Sequence, residues 1–211
     1  MKLLKLFSAI IFVAVACSQT TTLAREDIIE TSPSQCPCAW EVPNKIKTYE
    51  EILSDTISKM CNSPKSVANE VARALVKYKQ LYKFVSYSEV LSVIHTESYF
   101  NDKEVGLAEE TGLMQILPST ESYIAKNLEV TDYDLFDIDT NIHFGMWYLN
   151  DIKKKYGKYA FIVYNQGLSK ELTDSLYNYH ATTEGTYYNK ILRLEKMYRE
   201  ELENADSFRT F

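Results

Sequence analysis

Apolar residues recur at three- and four-residue spacing through most of the chain from about Tyr49 onward, and no stretch of any length alternates apolar with polar positions. A period near 3.6 marks amphipathic helices, so the pattern predicts a compact, mostly α domain over residues 49–211. Val67, Val71, Ala74, Leu75, Tyr78, Leu81, Tyr82 and Val85 predict one such helix. Ser86 with Glu89 three residues on is a capping-box signature for the next, which carries Val90, Leu91, Val93 and Ile94. Asn101 to Gly112 is polar and irregular, and Leu113 to Leu117 is a short apolar piece closed by Pro118, after which Ser119 starts a helix. Asp139 is the expected N-cap of a helix bearing Ile142, Gly145, Met146, Leu149, Ile152 and Tyr156, stopped at Gly157. Short helical pieces around residues 159–164 and 172–179 precede a last helix from about Tyr187, with Ile191, Leu194, Met197, Tyr198 and Leu202 on one face.

The first residues follow a different pattern. Lys2 and Lys5 lead into an apolar run through Ala16, too short for a stable membrane span but suited to an export signal over residues 1–17. Ala14-Val15-Ala16-Cys17 allows two fates: cleavage before Cys17 with lipidation of its thiol, or ordinary cleavage near Ala16 or Ala24. The predicted location is the periplasm or, with a lipid anchor, the outer membrane. Residues 18–48 are rich in Ser, Thr and Pro without an apolar period and read as a tether or surface wrap.

Charge narrows the function classes. Loss of residues 1–17 leaves 21 basic against 29 acidic residues, a balance of −8. A chain so acidic is unsuited to nucleic acid or to charge-driven adsorption on an anionic wall, so recognition has to come from a groove. Sixteen tyrosines offer flat rings with a polar tip to such a groove, although most are expected simply to pack. Export permits a disulfide, with Cys61 paired to Cys36 or Cys38. Metal binding is not expected, because Cys36-Pro37-Cys38 has no second cluster at ligand spacing and His95, His143 and His180 are scattered. No cofactor is implied.

Glu97 is the candidate for chemistry. It lies three residues from Ile94, four from Val93 and seven from Val90, which puts its carboxyl on the buried stripe of its helix. It also sits near the helix's C-terminal end, the negative pole. Burial and the dipole both disfavour the ionised form and keep the acid protonated nearer neutrality, as a general acid requires. Its bland alternative is a helix-end Glu paired with a Lys or Arg.

Further motifs follow in order. Glu97-Ser98 with Phe100-Asn101 comes first, then Gly112-Leu113-Met114-Gln115 with Pro118-Ser119-Thr120. Asn141-Ile142 with Gly145, Tyr148 and Leu149 is third, Tyr164-Asn165-Gln166-Gly167 is fourth, and Glu184 with Tyr188 is fifth. Over about Tyr87 to Tyr198 this series resembles the catalytic domain of the soluble lytic transglycosylase family, a helical lysozyme-like fold with a substrate groove, also related to goose-type lysozymes. The resemblance implies that Glu97 is the catalytic acid/base and that Gln115 and Asn165 line the groove beside it. Ser98 would contact substrate, Met114 and Tyr164 would offer apolar surface to sugar rings, and Tyr188 would sit close to the catalytic carboxyl. Glu184 would be a buried support within the site. Asn141, Gly145 and Tyr148 are expected to serve packing, and His95 to lie on the surface. The sequence departs from the family pattern at Glu109-Glu110, where a Gly-Ala pair is usual, at Gly185, where Thr is common, and at Asn189.

The implied substrate is the glycan strand of peptidoglycan. The implied reaction is cleavage between N-acetylmuramic acid and N-acetylglucosamine without water, closing a 1,6-anhydro ring. Two rivals stand beside it. Hydrolysis by a lysozyme-like route would need a second acid to position water, with Asp102, Glu109 and Glu110 as candidates. A non-catalytic wall-binding lipoprotein would keep the fold without the chemistry.

Overall fold

The computed structural model describes residues 47–167 and 171–207. The expectations for residues 1–17, for Cys17, for the tether as far as residue 46, and for Cys36 and Cys38 lie outside them.

The Thr48 hydroxyl caps the first described helix while Glu51 returns the bond to the Thr48 amide, a capping box absent from the sequence expectations. This helix, α1 (Tyr49–Cys61), buries Ile52, Leu53 and Ile57 against α2 (Lys65–Lys79). A Ser54 hydroxyl to Asn69 bond of 2.6 Å joins the two. The helix expected to run on through Val85 stops at Lys79. Leu81 continues the apolar period yet stands 64% exposed, while Tyr82 and Val85 reach the core from an irregular turn.

That turn feeds α3 (Tyr87–Glu97) through the Ser86–Glu89 capping box, present as expected in both directions. Val90, Leu91, Val93 and Ile94 are all fully buried, so α3 is wrapped on nearly every side. Its largest contact is with the last helix, α8 (Tyr187–Ser207), fixed at one end by Ser88 donating to Glu195 at 3.0 Å. The other Glu89 oxygen takes Lys153, so the start of α3 is tied to two partners at once.

After the irregular stretch 98–117 come α4 (Pro118–Leu128) and the long α5 (Ile138–Tyr156). The cap of α5 is Asp137, not Asp139, and accepts from the Thr140 amide at 2.8 Å. Asp139 instead takes Lys77 at 2.7 Å and the Tyr78 hydroxyl at 2.6 Å, docking α5 on α2. Gly157, at φ 53°, ends α5 as expected. A single 3₁₀ turn leads into α6 (Ala160–Gln166), and α7 (Asp174–Thr182) precedes α8. Among the described residues the only β pairings are the isolated bridges Val105 to Thr111 and Thr111 to Ile116, so the mostly α class holds.

Candidate active site

Glu97 is the last residue of α3, one turn beyond the fully buried Val93 and Ile94, and is itself partly buried. The chain then turns sharply. Tyr99 at φ 52° and Phe100 at φ 63° are two successive non-glycine residues in the left-handed region, where each costs on the order of 1 kcal/mol or more. The fold holds that conformation with Phe100 in the core and with Ser98, whose hydroxyl donates to the Leu113 carbonyl at 2.8 Å. Ser98 therefore staples the end of the Glu97 helix to the turn at 111–116.

That turn is also held from α5 and α6 and by its own Gln115. Asn141 on α5 accepts the Met114 amide at 2.9 Å and donates to the carbonyls of Thr111 and Leu135 at 3.0 and 2.9 Å. Gly112 lies so close that a Cβ there would stand 2.3 Å from Asn141 Nδ2, and its φ of 76° already favours glycine. Met114 is fully buried, with its sulfur where a Cβ on Gly145 would be. From α6 the Tyr164 hydroxyl donates to the Met114 carbonyl at 2.7 Å. Gln115, at φ 46°, turns its amide inward onto the carbonyls of Gly112 and Glu104 at 2.9 and 3.3 Å.

Over this frame Tyr187, the first residue of α8, donates its hydroxyl to Glu97 Oε1 at 2.6 Å. Among the described residues that is the hydrogen bond the Glu97 side chain makes. Burial pushes Glu97 up from 4.5 to about 7, the Tyr187 bond opposes the rise, and the charge of Glu110 adds to it. Burial also drives the phenols of Tyr187 and Tyr164 well above 10, with the nearby Glu97 charge adding to the effect, so both stay neutral donors. A carboxyl poised near neutrality can give a proton and later take one back, the property general acid/base catalysis uses.

The family model of the transglycosylase SLT domain matches residues 74–185, just over half of the chain. This chain belongs to the transglycosylase SLT domain family. The match takes in Glu97, the 111–116 turn and Tyr164, and ends two residues short of Tyr187. The soluble lytic murein transglycosylase of Salmonella typhimurium is 32% identical over 92 residues, covering 40% of this chain. That of Escherichia coli K12 is 29% identical over the same length. The chain spans 14% of each of these relatives. Among solved structures, an inactive glutamate-to-glutamine mutant of lytic transglycosylase Slt from Pseudomonas aeruginosa aligns with a TM-score of 0.53 and 20% identity. The alignment covers 62% of this chain and 24% of that one. It supports the helical, lysozyme-like fold.

Within the SLT domain the expected residues fall into two groups. Glu97, Ser98, Met114, Gln115 and Tyr164 converge on one place, but not all present a side chain to a ligand. Met114 is fully buried and Ser98 nearly so, both spent on the frame, so neither offers the substrate surface expected of it. Asn165 is exposed at the end of α6, next to Tyr164. Tyr188 is displaced from its expected place: its hydroxyl is 3.5 Å from that of Tyr177 and its ring packs on Phe161, while its neighbour Tyr187 reaches Glu97. Glu184 is exposed in the turn before α8, so it is not a buried support. Tyr148 is half-buried against Tyr164, with ring centroids 5.6 Å apart, and lines a cavity of about 220 Å³ with Thr120, Tyr123 and Asp151.

One further residue departs from expectation. His95 is not on the surface: Nδ1 lies 2.9 Å from the Tyr198 hydroxyl and 3.3 Å from the sulfur of Cys61, and burial pushes its pKa down. Cys61 is a buried thiol 2.9 Å from the same hydroxyl, and the disulfide expected of it involves Cys36 or Cys38, outside the described residues. Among the described residues no three His, Cys, Asp or Glu side chains gather to hold a metal, and no helix is long and apolar enough to cross a membrane.

Proposed function

We propose that this chain is a peptidoglycan lytic transglycosylase with Glu97 as its acid and base. The observation that carries the reading is a carboxyl lifted to about 7, with one oxygen held by Tyr187, at the centre of an SLT domain. Glu97 protonates the glycosidic oxygen that leaves with N-acetylglucosamine, and the N-acetyl group of the muramic sugar stabilises the cationic C1. The ionised Glu97 then takes the proton of the same sugar's C6 hydroxyl as O6 bonds to C1 and closes the 1,6-anhydro ring. The proton returns to Glu97 and no water is consumed. Intramolecular attack has effective molarities on the order of 10⁵ M or more, so no second carboxylate is needed to activate water.

Tyr187 orients the carboxyl, Asn165 offers an amide at the groove edge, and Tyr164 with Tyr148 forms its aromatic wall. Gln115, Ser98 and Met114 act through the shape of the 111–116 turn. The names of the relatives, soluble lytic murein transglycosylases, agree with a murein substrate. The basic, apolar and then small residues of the first 17 positions support export to that substrate, with Cys17 as the candidate lipidation site. Mass analysis of fragments released from purified peptidoglycan tests the reading. Ends lighter by one water than a reducing sugar are expected, and reducing ends alone would replace the lyase with a muramidase.

A further inference from the structure

The last turn of α3 is gripped by α8 from two sides. Glu97 and His95 stand two residues apart, about 200° around the helix, so their side chains leave it in nearly opposite directions. Each meets a phenol of α8: the Tyr187 hydroxyl is 2.6 Å from Glu97 Oε1, and the Tyr198 hydroxyl is 2.9 Å from His95 Nδ1. The two tyrosines are about three full turns apart, so they share one face of α8 at a separation of about 16 Å along its axis. The sulfur of Cys61, the last residue of α1, lies 2.9 Å from the Tyr198 hydroxyl, so α1, α3 and α8 meet at that one oxygen.

The Tyr187 end of α8 has little else to aim it at Glu97. The turn before it is open: Glu184 is exposed, and a Cβ on Gly185 would meet no atom within 4 Å. Thr186 donates to the His180 carbonyl at 2.6 Å and Asn189 to the Ala181 carbonyl at 2.9 Å, and both bonds run to α7. The ties to α3 lie further along, at Glu195, which accepts from Ser88 at the start of α3, and at Tyr198. Of these, Tyr198 is the one bonded to the turn that carries Glu97. Its bond joins neutral groups, since burial pushes His95 down and the Tyr198 phenol up.

We propose that Tyr198 is a positioning residue: through His95 it sets α8 on the last turn of α3, so that the Tyr187 hydroxyl meets the Glu97 carboxyl. Its consequence for turnover rests on the lytic reading; its consequence for the bond between Tyr187 and Glu97 does not. A hydrogen bond between enclosed groups holds its direction well, because an unpaired partner has no water to turn to. The ring of Tyr198 fills the core, as phenylalanine would. The hydroxyl that phenylalanine lacks is what reaches the helix of Glu97.

Tyr198→Phe keeps the ring and removes the hydroxyl, and His95→Leu removes the same bond from the other side, should the first variant not fold. Ser54→Ala, which removes a buried bond between α1 and α2, is the control. The readouts are a carbon NMR titration of the Glu97 carboxyl in the full chain and turnover of purified peptidoglycan. The Tyr187 bond favours the ionised carboxyl, so Glu97 should titrate at higher pH in Tyr198→Phe, as it should in Tyr187→Phe. A site merely loosened and wetted would move it the other way, because burial is the largest cause of its rise. The other titratable groups that act on Glu97 or feel its charge, Glu110 and Tyr164, are kept in every variant. Turnover in Tyr198→Phe should fall roughly threefold or more, and adding it to Tyr187→Phe should lower turnover by less than about twofold further. An unmoved or lowered Glu97 titration, an equal rise in Ser54→Ala, or full multiplication of the two losses would overturn the proposal. The titration needs no turnover, so a wild-type chain that releases no fragments would count against the lytic reading while leaving the test of Tyr198 standing.

Discussion

Glutamine at position 97 should make the protein more stable above neutral pH, and by an amount the structure sets. Glu97 rises from 4.5 to about 7 on folding, chiefly through burial. Between those two values the folded state binds more protons than the unfolded chain, so stability falls as pH climbs through that window. Below about 4.5 both states carry the neutral acid and the penalty is absent, while above about 7 the folded state holds a buried carboxylate and the penalty is complete. At about 1.4 kcal/mol per pH unit, the full rise corresponds to about 3 kcal/mol. Glutamine is neutral, has the same shape, and keeps an oxygen for the Tyr187 hydroxyl. For a chain of this size, Glu97→Gln should therefore melt roughly 6–12 °C above wild type at about pH 8. At about pH 4 the gap should close. Circular dichroism melts of both proteins across this range provide the assay. Equal melting temperatures at the alkaline end, or a gap that persists undiminished in acid, would refute a carboxyl destabilised by burial.

Three other substitutions probe the frame around that carboxyl. Tyr187→Phe removes a 2.6 Å bond to Glu97, and a hydrogen bond to a charged group is worth about 1.5–3 kcal/mol, so turnover should fall about tenfold or more. Because that bond favours the ionised form, the alkaline limb of its pH profile should also move up, whereas Tyr188→Phe should change turnover by less than about twofold. Gly145→Ala sets a Cβ 2.1 Å from the sulfur of the fully buried Met114 and should destabilise by about 1–3 kcal/mol in urea unfolding, with an unchanged midpoint as the contrary result.

The helices and the partly buried setting of Glu97 were legible because each follows from a local rule. Ser86 and Glu89 start α3 through bonds three residues apart, and the stripe from Val90 to Glu97 follows helix geometry alone. The misreadings came where two neighbouring residues satisfy the same rule and tertiary contacts choose between them. Asp137 and Asp139 both suit an N-cap, and Asp139 is drawn to Lys77 and Tyr78 on another helix. Tyr187 and Tyr188 are adjacent phenols at the start of α8; one step of about 100° around the helix sends the first to Glu97 and the second toward α6 and α7. Leu81 continued the apolar period of α2 after the helix had ended. Met114 and Ser98 belong to a site motif, yet they shape the site from beneath rather than face its ligand. His95 was misjudged because a phenol and a thiol from two other helices fill the space beside it, and neither is near it in sequence.

The central claim is that Glu97 performs the proton transfers, and release of soluble fragments from purified peptidoglycan by wild type and Glu97→Gln tests it most directly. Retained folding and pelleting with peptidoglycan, together with loss of turnover, is the predicted result for the glutamine variant. Turnover at the wild-type rate would contradict it.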